Sequence, residues 1–526
     1  MRIRKTAIAV FIAAGSAGLA LVYTPAIRVH AAAADDDLGQ GVKSMTDAFS
    51  LIEKNFADPI SSERAFYEGA IPGMLRTLDP HSNFLDPNEF RDMQRRQHAQ
   101  YFGVGMEITV DEGQVVVNRP FPDSPAWNAG LRRGDIVFAV DGHETKGMDT
   151  AQVANMLRGP KATRVNVTVL RQGGTTPVTV PVVRGEIQTS YVDGFWVRPG
   201  IAYLGISTFE SENISQDMEA VLQSLGEQSI TGLILDLRGN PGGLLNEAVA
   251  VAGHYLRNGQ TVVSHKGRAE EEQVFRAKAK QYGQNYPIVV LVDRRSASAS
   301  EIVSGALQDH DRAWLIGEAT FGKGLVQGQF PLSEGAALLL TIAHYYTPSG
   351  RLIQRDYQHR SFFDYYYAGR NDGPNLADTQ LTDSGRKVYG GGGITPDEKY
   401  DPPKANVFER RLLASGAFFH FASQYFADRM PTLSKDWMPD NAVIERFHTF
   451  MNAQHITFDE AEFTANRRWV SDQLRWEMYS RALGKKDADR AAIESDPEIA
   501  VGIDSLPKAQ ALFQQVQKVL ARRAAR

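Results

Sequence analysis

The sequence predicts a multidomain α/β protein, in which a small mixed domain precedes an α/β core and helical regions lie at both ends. The chain has 526 residues, more than one hydrophobic core usually supports. Between residues 187 and 400, apolar runs typical of buried strands alternate with helical periodicity. The pattern changes on both sides of this region, so we expect further domains at 36–100, 101–186 and 401–526.

Residues 1–33 have the order of a secretory signal peptide or an N-terminal membrane anchor. Arg2, Arg4 and Lys5 precede an apolar run over about residues 6–23, and the small residues "HAAAA" follow. The run is at the short limit for a membrane span, so a cleaved signal and an uncleaved anchor both remain open. Either one predicts an extracytoplasmic protein, which is periplasmic or secreted, or is tethered to the inner membrane by an uncleaved signal.

Both flanking regions show helical periodicity. In the N-terminal region, Met45, Phe49, Ile52 and Phe56 recur at three- and four-residue steps, as on one face of a helix. A second helix covers "RAFYEGAIPGMLRTL", and "DPHSNFLDP" is a turn-rich connection. The C-terminal region is helical again. Either helical region is a candidate surface for a homo-oligomer.

Residues 101–186 combine short strands with two helices. "YFGVGMEITVDEGQVVV" contains β-like runs, and "SPAWNAGLRRGDIVFAVDG" gives a short helix followed by a buried strand. An amphipathic helix in "DTAQVANMLRG" precedes two strands around a Gly-rich turn. This order predicts one compact mixed domain.

The core supplies strand and helix candidates in alternation. The strands are "IAYLGIS", "TGLILDLR", "PIVVLVD", "RAWLIGE" and "AALLLTIAHYY". The helices are "SENISQDMEAVLQSLGEQ", "GLLNEAVAVAGHYL" and "SASEIVSGALQDH". We therefore expect a sheet covered on both faces by helices.

Composition excludes several classes of function. The 57 basic residues are balanced by 62 acidic ones, without the basic footprint of a nucleic-acid-binding protein. The absence of cysteine excludes disulfides, a thiolate nucleophile and a cysteine-ligated metal. Because the sequence also lacks a convincing metal-ligand cluster, we expect no metal and no other cofactor.

The motif "RRSASASEI" places Ser296, Ser298 and Ser300 where a buried strand turns into a helix. A serine hydroxyl is a poor nucleophile unless its proton is removed as it attacks. The free N–H groups and the positive dipole of a helix start can hold the oxyanion that forms. The alternative is that all three serines are capping and packing residues.

The segment "GEATFGKGLVQGQFPL" contains Lys323 between two glycines in an otherwise apolar run. Burial would lower the pKa of its ammonium group, and the neutral amine could then act as a general base. If the run is extended, Gln327 faces the same side and could orient the amine. The alternatives are a lysine that binds phosphate or carboxylate, and a lysine on a surface turn.

The segment "LDLRGNPGG" ends a buried strand with Asp236 and Arg238 and then turns into a helix. Glycines allow close approach of the backbone and direct N–H groups outward. Gly242 or Gly243 is therefore a candidate donor to a reacting oxygen. The alternative is an ordinary strand-to-helix turn.

Histidine is the rival base. His310 lies about three helical turns after Ser298, too far to reach it along a continuous helix. His344 lies in the strand run "TIAHYY" and could be a core residue. Because a Ser-His-Asp triad is recognised by geometry, the sequence leaves a histidine base open.

Several motifs in order make the chain resemble the carboxyl-terminal processing peptidases, also called tail-specific proteases. The motifs are "GVGMEI", "SPAWNAGLRRGDIVFAVDG", "LDLRGNPGG", "SASASEIVSGALQD", "GEATFGKGLVQ", "YYTPSGRLIQ" and "GGGITPD", and the resemblance covers about residues 40 to 400. It implies a ClpP/crotonase-like α/β protease core and an inserted or preceding PDZ domain at 101–186. It also implies a serine endopeptidase that works through an acyl-enzyme and needs no cofactor.

The family pattern implies the catalytic residues. The nucleophile is the middle serine of "SASAS", Ser298, the base is Lys323, 25 residues later, and Gln327 orients the lysine. The implied oxyanion hole consists of backbone N–H groups, from Ala299 and from one of two glycines, Gly242 or Gly243.

In the PDZ domain, "YFGVGM" corresponds to the carboxylate-binding loop. Backbone N–H groups around Gly103, Val104, Gly105 and Met106 would capture the terminal carboxylate of a peptide that adds as a strand to a sheet edge. The implied partners are protein substrates with free, apolar C-termini. An adaptor protein that delivers substrates is also compatible with the family, whereas nucleic acid is not expected.

Two segments depart from compact members of the family. Residues 356–388, rich in Tyr and Phe, separate "TPSGRLIQ" from "GGGITPD", where compact members have a short link. A lid, a partner surface and a packed insertion remain open for it. The region 401–526 is also longer, and could mediate oligomerisation, cover the site or stabilise the fold.

The sequence therefore predicts a serine endopeptidase that recognises C-terminal tails through a PDZ domain and cleaves near the C-terminus. Two alternatives stay open. One is a catalytically silent PDZ adaptor or chaperone of the cell envelope, and the other is a protease of the same fold with a histidine base.

Overall fold

The computed structural model describes most of the chain after residue 34. The described residues are 35–97, 100–111, 113–121, 123–171, 174, 176–188, 191–269, 271–278, 284–358, 362–366, 375–426 and 432–524. The predicted signal or anchor segment at 1–33 lies outside them. Within these ranges, no helix combines the length and the apolar character needed to cross a membrane.

The first of two compact units ends at Ala70, and its described part contains two helices. They are α1 (Asp35–Asn55) and the π-helix Arg64–Ala70. The predicted apolar helix face is present on α1. Phe49 packs against Phe66 with ring centroids 5.2 Å apart, whereas Ile52 and Phe56 are exposed.

The second unit begins with a short segment that joins the core through one strand. Its elements are α2 (Ile71–Arg76), β1 (Asn83–Leu85) and α3 (Pro87–Gln97). Asp79 holds the turn before β1, because its buried carboxylate accepts hydrogen bonds from the N–H groups of His81 (2.7 Å) and Ser82 (2.8 Å) and from the Ser82 hydroxyl (2.6 Å). Burial alone would raise the pKa of Asp79, but these hydrogen bonds outweigh it and lower the pKa.

A small β domain follows. Its elements are β2 (Gln100–Gly103), β3 (Met106–Asp111), β4 (Gln114–Pro120), α4 (Pro125–Asn128), β5 (Ile136–Val140), β6 (His143–Glu144), α5 (Thr150–Leu157), β7 (Arg164–Leu170), β8 (Val178–Val183) and β9 (Gly185–Gln188). The main sheet has the order β3-β4-β5-β7-β8, with β6 beside β5, while β2 pairs separately with β9. Alternate residues of β7 are buried, as expected for a strand with one face on a core.

In its described residues, the core between residues 187 and 400 contains two large sheets and one sheet of two strands. In chain order its elements are β10 (Val192–Arg198), β11 (Ile201–Ile206), α6 (Ile214–Ser224), β12 (Gly232–Asp236), α7 (Leu245–Tyr255), β13 (Thr261–Gly267), β14 (Gln273–Arg276), β15 (Ile288–Val292), α8 (Ala299–Asp309), β16 (Trp314–Gly317), β17 (Leu325–Pro331), β18 (Ala337–Tyr346), α9 (Phe362–Tyr366), β19 (Asn375–Leu381), β20 (Lys387–Gly390) and β21 (Glu398–Lys399).

The central sheet has the order β10-β11-β12-β15-β16-β21. Its strands are parallel from β11 onward, and β10 is antiparallel to β11. Every residue of β12 and β15 is buried, which accounts for their continuous apolar runs. Four of the five predicted strands lie in this sheet, and the three predicted helices are present.

The second sheet is antiparallel and is built around β18. Strand β18 pairs with β1, β13 and β17, and β14 extends the sheet beyond β13. The run "AALLLTIAHYY" is thus a strand, as predicted, but it belongs to this sheet and not to the parallel one. Strands β1 and β17 both pair with residues 337–339 of β18, so they flank it on opposite edges, and the turn at residues 79–82 lies across β18 from β17.

The C-terminal region is helical, as predicted. Its helices are α10 (Val407–Ala414), α11 (Ala417–Tyr425), α12 (Asn441–Ala453), α13 (Glu460–Ala465), α14 (Arg467–Ala482), α15 (Lys485–Ser495), α16 (Pro497–Asp504) and α17 (Leu506–Ala524). Helices α16 and α17 cover one face of the central sheet, where Ile499 and Leu506 pack against Ile234 and Leu291. Helices α6, α7 and α8 cover the other face, so the sheet is buried on both sides.

The C-terminal helices also contact the small β domain through a buried ion pair. The guanidinium group of Arg133, after α4, donates hydrogen bonds to Glu477 and to the Ser480 hydroxyl of α14. It also lies over the Phe419 ring, 5.1 Å from the centroid. The side chains of Arg133 and Glu477 are 8% and 7% exposed, so this contact excludes most water.

Candidate active site

Ser298 lies at the turn between β15 and α8, directly before the first residue of the helix. Its φ of +51° and ψ of −110° are a strained conformation for a residue other than glycine. The side chain is partly exposed and stands at the positive end of the helix dipole. This turn therefore presents a hydroxyl group at the start of the helix, next to the N–H of Ala299.

The other two serines of the motif are fully buried. The Ser296 hydroxyl donates a hydrogen bond to the Leu237 carbonyl (2.8 Å), and the Ser300 hydroxyl donates one to the Asn240 carbonyl (3.0 Å). Both therefore fasten the turn to the loop that follows β12. The packing alternative thus describes Ser296 and Ser300, whereas Ser298 faces a cavity.

One cavity of about 330 Å³ brings the predicted catalytic residues together. Ser298, Lys323, Gln327, Gly242 and Gly243 all line it. Its other lining residues are mainly apolar, and they include Met93, Leu244, Ile302 and Leu339. A serine, a lysine and glycine backbone thus face one partly apolar space, which suits attack on the carbonyl of a bound peptide.

Lys323 lies in the loop before β17, and its Nζ donates a hydrogen bond to Gln327 Oε1 (2.8 Å). Burial lowers the pKa of Lys323, and the carboxylates of Asp79 and Glu301 partly oppose that effect. No ion pair of its ammonium group occurs among the residues that the structure describes. The geometry therefore favours the neutral amine that a general base requires.

Glu301 joins the serine turn to the lysine loop. Its fully buried carboxylate accepts hydrogen bonds from the N–H groups of Ser298 (2.7 Å), Gly322 (2.7 Å) and Lys323 (2.9 Å), and from the Thr320 hydroxyl. Burial is the largest influence and raises the pKa of Glu301, although the hydrogen bonds oppose it. Glu301 was not predicted as a site residue; its signal in the sequence is an acidic residue in the first turn of a helix directly after the serines.

Gly242 approaches the serine turn so closely that no side chain fits there. Its φ is +100°, and a Cβ atom would lie 2.7 Å from Ser298 Cβ and 2.9 Å from the backbone nitrogen of Ala299. Ala299, which is buried, is the first residue of α8. The glycine thus places the loop after β12 directly against the start of the helix.

The amides of the two glycines point in different directions. The Gly242 N–H donates to Asn240 Oδ1 (2.9 Å), and its carbonyl accepts from the Phe209 N–H (2.8 Å). The Leu244 N–H donates to the Phe209 carbonyl (2.7 Å), so Phe209 and Gly243 form a parallel bridge. In such a bridge the N–H of the central residue, Gly243, points away from the neighbouring strand.

Asp236 and Arg238 face away from the cavity and hold the C-terminal region. The Arg238 guanidinium binds both oxygens of Asp236 (2.9 and 2.7 Å) and also reaches Glu498 (2.7 Å) and Asp496 (2.8 Å) at the start of α16. The end of this strand is therefore an ion-pair network, and neither residue lines the cavity.

The two histidines weighed as bases do not line this cavity. His310 contacts Asp383 (2.8 Å) and the Thr261 carbonyl (2.7 Å) and borders a separate cavity beside α17. His344 lies within β18, paired with Lys266 on β13. Instead, the histidine beside Lys323 is His81, which the sequence analysis did not consider.

His81 is nearly enclosed by aromatic groups. Its Nε2 lies 2.8 Å from the Tyr365 hydroxyl, and its Nδ1 lies 3.3 Å from the Tyr366 hydroxyl. Burial, and then the charge of Lys323, lower the pKa of His81 to about 3. The imidazole is therefore neutral and already engaged at both nitrogens.

The predicted carboxylate-binding loop connects β2 to β3. Gly103 ends β2, Met106 begins β3, and Gly105 has a φ of +75°. The carbonyls of Val104 and Gly105 accept hydrogen bonds of 2.7 and 2.9 Å from N–H groups within residues 121–126. Because these carbonyls turn inward, the amide side of the loop faces the other way.

Strand β3 is an edge strand of its sheet, and α5 lies beside it. Met106 of the strand and Val153 of the helix are buried in the same apolar cluster, with Met156 partly exposed next to them. An edge strand next to an apolar helix face is the arrangement in which an extended peptide can add to a sheet.

No group of three or more metal-ligating side chains that could hold a metal ion occurs in the part of the chain that the structure describes.

Comparison with known proteins places these features in a family. The model of peptidase family S41 matches residues 200–358, and the model of a PDZ domain matches residues 116–171. A carboxy-terminal-processing protease of Bartonella bacilliformis is 38% identical over 313 residues, which are 59% of this chain and 71% of that protein. A carboxyl-terminal-processing protease of Synechocystis is 38% identical over 312 residues, which are 58% of this chain and 72% of that protein.

Among solved structures, the chain is similar to a photosystem II D1 C-terminal processing protease. The identity is 29%, the TM-score is 0.37, and the match covers 69% of this chain and 88% of that one. The family models place a peptidase domain after a PDZ domain, and the structure has helical regions at both ends. The predicted multidomain α/β fold class is thus confirmed.

Proposed function

The chain belongs to peptidase family S41, as a PDZ-containing carboxy-terminal processing protease and hence a serine endopeptidase, and from this premise we propose that Ser298 and Lys323 form its catalytic dyad. The observation that carries the proposal is their shared cavity. There the hydroxyl of Ser298, a residue with a strained backbone at a helix start, faces the same space as a buried lysine. Gln327 holds the amine through a hydrogen bond of 2.8 Å.

In the proposed reaction, neutral Lys323 removes the proton from the Ser298 hydroxyl as the oxygen attacks the scissile carbonyl. The tetrahedral intermediate collapses, the peptide C–N bond breaks, and Lys323 gives the proton to the leaving amine. A water molecule, deprotonated by the same lysine, then hydrolyses the Ser298 ester and releases the new C-terminus. Burial lowers the pKa of Lys323 from its ordinary value, which supports its role as the base.

We assign the oxyanion hole to the N–H groups of Ala299 and Gly243. Ala299 begins α8, so its N–H is one of the free donors of the helix start. Gly242 is the poorer second donor, because Asn240 already accepts a hydrogen bond from its N–H. Gly243 supports the assignment, because its N–H points away from the strand that binds its neighbours.

We further propose that the PDZ domain selects protein substrates by their free, apolar C-termini. The terminal carboxylate would meet the N–H groups around Gly103, Val104, Gly105 and Met106, and the tail would add as a strand beside β3. The inward carbonyls of the loop and the edge position of β3 support this mode. Amidation of the substrate's C-terminus should raise KM; an unchanged KM would contradict carboxylate capture.

The dyad is tested by cleavage of an unstructured protein with an apolar C-terminal tail. Ser298→Ala and Lys323→Ala should each abolish cleavage with folding intact, while Ser224→Ala, an exposed serine outside the site, should not. If the wild type and the variants are all folded and none of them cleaves the substrate, the silent adaptor or chaperone would be favoured. Activity that survives Lys323→Ala but not His81→Ala would favour a histidine base.

Location and assembly complete the proposal. We place the enzyme outside the cytoplasm, on the basis of the signal-like residues 1–33, and cell fractionation tests that location. Homo-oligomer formation through a helical end finds support in the apolar residues exposed on or near α1, which are Leu38, Val42, Met45, Leu51, Ile52 and Phe56. Light scattering of the wild type and of an Ile52→Asp variant tests oligomer formation, and a monomeric wild type would contradict it. Cleavage of substrate by the purified enzyme alone would contradict a requirement for an adaptor protein.

A further inference from the structure

The Tyr-rich segment, residues 356–388, reaches the back of the proposed dyad through its short helix α9. Tyr365 of α9 is buried, and Arg355 stacks over its ring at 4.1 Å and over the Phe321 ring at 3.9 Å. The Tyr366 hydroxyl donates to the Pro80 carbonyl (3.0 Å). Of the readings left open by the sequence, α9 fits a packed insertion, and what it packs against is the turn at residues 79–82.

This turn contacts the residue that orients the lysine. The Gln327 side-chain NH₂ group donates a hydrogen bond to the His81 backbone carbonyl, and its Oε1 accepts from Lys323 Nζ (2.8 Å). A carbonyl can only accept, so it fixes which end of the amide faces the lysine. With that carbonyl displaced, the amide could rotate and present its NH₂ group to Nζ.

The His81 carbonyl is held from two sides. On one side, Asp79 binds the N–H groups of His81 and Ser82, which shapes the turn. On the other side, the imidazole Nε2 meets the Tyr365 hydroxyl at 2.8 Å, and the two rings pack edge to face at 5.4 Å. The imidazole is thus an anchor between α9 and the backbone that orients Gln327.

We propose that His81 and Tyr365 are positioning residues, which hold the His81 carbonyl against Gln327 and thereby keep the Lys323 amine directed at Ser298. The proposal rests on the Ser298–Lys323 dyad proposed above. The Tyr-rich segment thereby contributes to catalysis, because it supplies the Tyr365 hydroxyl. This hydroxyl contacts His81, the His81 carbonyl contacts Gln327, and Gln327 contacts Lys323.

The decisive variant is Tyr365→Phe, which removes the hydroxyl and keeps the ring. We expect kcat to fall by about tenfold with KM within about twofold, because the reacting groups lose alignment and substrate binding is untouched. Tyr357→Phe is the matched control. Tyr357 belongs to the same segment, with its ring 6.4 Å from that of Tyr365, and we expect wild-type kcat.

The pH profile separates orientation from simple loss of folded protein. The carboxylates of Asp79 and Glu301 act on Lys323, and the charges of Lys323 and Arg355 act on the neutral His81; Tyr365→Phe leaves all of these groups in place. A Gln327 amide that no longer offers Oε1 stabilises the ammonium form less, so the acid limb should move to lower pH while the plateau falls. A merely destabilised variant would scale the profile without moving the limb.

A second variant and a second readout keep the test independent of stability. His81→Gln retains a polar group that can reach the Tyr365 hydroxyl and should keep more kcat than His81→Phe, with both values normalised to the folded fraction from circular dichroism. Labelling of Ser298 by a small organophosphorus fluoride should slow in parallel with kcat.

The outcomes distinguish the two proposals. If Ser298→Ala and Lys323→Ala are inactive while Tyr365→Phe and His81→Phe keep wild-type kcat and pH profile, the positioning role is wrong and the dyad stands. If Lys323→Ala remains active, the dyad itself is wrong.

Discussion

Replacement of Glu301 by glutamine tests how firmly the serine turn and the lysine loop are joined. The carboxylate accepts hydrogen bonds from the N–H groups of Ser298, Gly322 and Lys323 and from the Thr320 hydroxyl, at distances from 2.5 to 2.9 Å. All of these contacts are buried or partly buried. The substitution keeps the shape of the side chain and changes only its charge and one of its oxygens.

The magnitude follows from the geometry. If the amide oxygen faces the N–H groups of Ser298 and Lys323, the new NH₂ group meets the Gly322 N–H, and that buried donor loses its acceptor at a cost of about 1–3 kcal/mol. The two remaining N–H bonds change from charged to neutral acceptors, which weakens each by about 1 kcal/mol. Removal of the buried charge offsets part of this loss. We expect the free energy of unfolding to fall by about 2–4 kcal/mol.

Activity should fall as well, because the loop that carries Lys323 is no longer fixed to the turn that carries Ser298. We expect kcat to decrease by about 10- to 100-fold in the folded variant. Urea denaturation gives the free energy, and cleavage of the tailed substrate gives kcat. Glu318→Gln is the matched control, because Glu318 contacts only the exposed Arg294 at 3.5 Å among the ion pairs described, and we expect a change within about 0.5 kcal/mol. Equal stability and equal kcat for Glu301→Gln and the wild type would refute the reasoning.

Three further predictions concern the Lys323 amine and the Arg133–Glu477 ion pair. The value of kcat/KM should fall as the pH drops through the pKa of Lys323, because only the neutral amine accepts a proton, and burial should place the midpoint below the ordinary 10.5; a pH-independent rate would contradict this. Gln327→Glu adds a carboxylate to Lys323 Nζ, favours the ammonium form and should raise that midpoint by about 1–3 pH units, whereas an unmoved midpoint would show that the two groups do not interact. Glu477→Ala leaves the Arg133 charge buried without its carboxylate and should cost about 3–5 kcal/mol in urea denaturation, while Arg133→Met combined with Glu477→Met should cost much less; equal costs would mean that the ion pair is not the source.

Sequence reasoning was most successful where local pattern decides structure. All residues of β12 and β15 are buried, and the apolar runs at residues 233–235 and 288–292 predict strands covered on both faces. It was less successful for the second sheet. Strand β17 is mostly half-exposed, so its residues do not form an apolar run. Its pairing with β18 depends on contacts between the two strands, which the periodicity of the sequence does not encode.

The same limit applies to the site. Ser298, Lys323 and Gln327 could be named because they lie in local motifs, and the cavity brings them together. His81 could not be named, because it lies 246 residues from Gln327, and only the pairing of β1 with β18 makes them neighbours. Glu301 was overlooked for another reason: an acidic residue in the first turn of a helix is ordinary, and its burial against the lysine loop is a tertiary fact.

The alternation of serines with alanines in the "SASAS" motif follows from the two loops that the motif must join. The hydroxyls of Ser296 and Ser300 donate hydrogen bonds to the carbonyls of Leu237 and Asn240, which fixes the turn to the loop that carries the proposed oxyanion glycine. Residues two apart in an extended segment would place their side chains on the same side. The strained φ of Ser298, directly before the helix, instead separates its side chain from those of Ser296 and Ser300 and directs it toward the cavity. A rigid frame of buried hydroxyls on either side is what allows one exposed hydroxyl to remain in a strained conformation. Ser300→Ala should therefore lower kcat through the loss of this frame, even though Ser300 never meets the substrate.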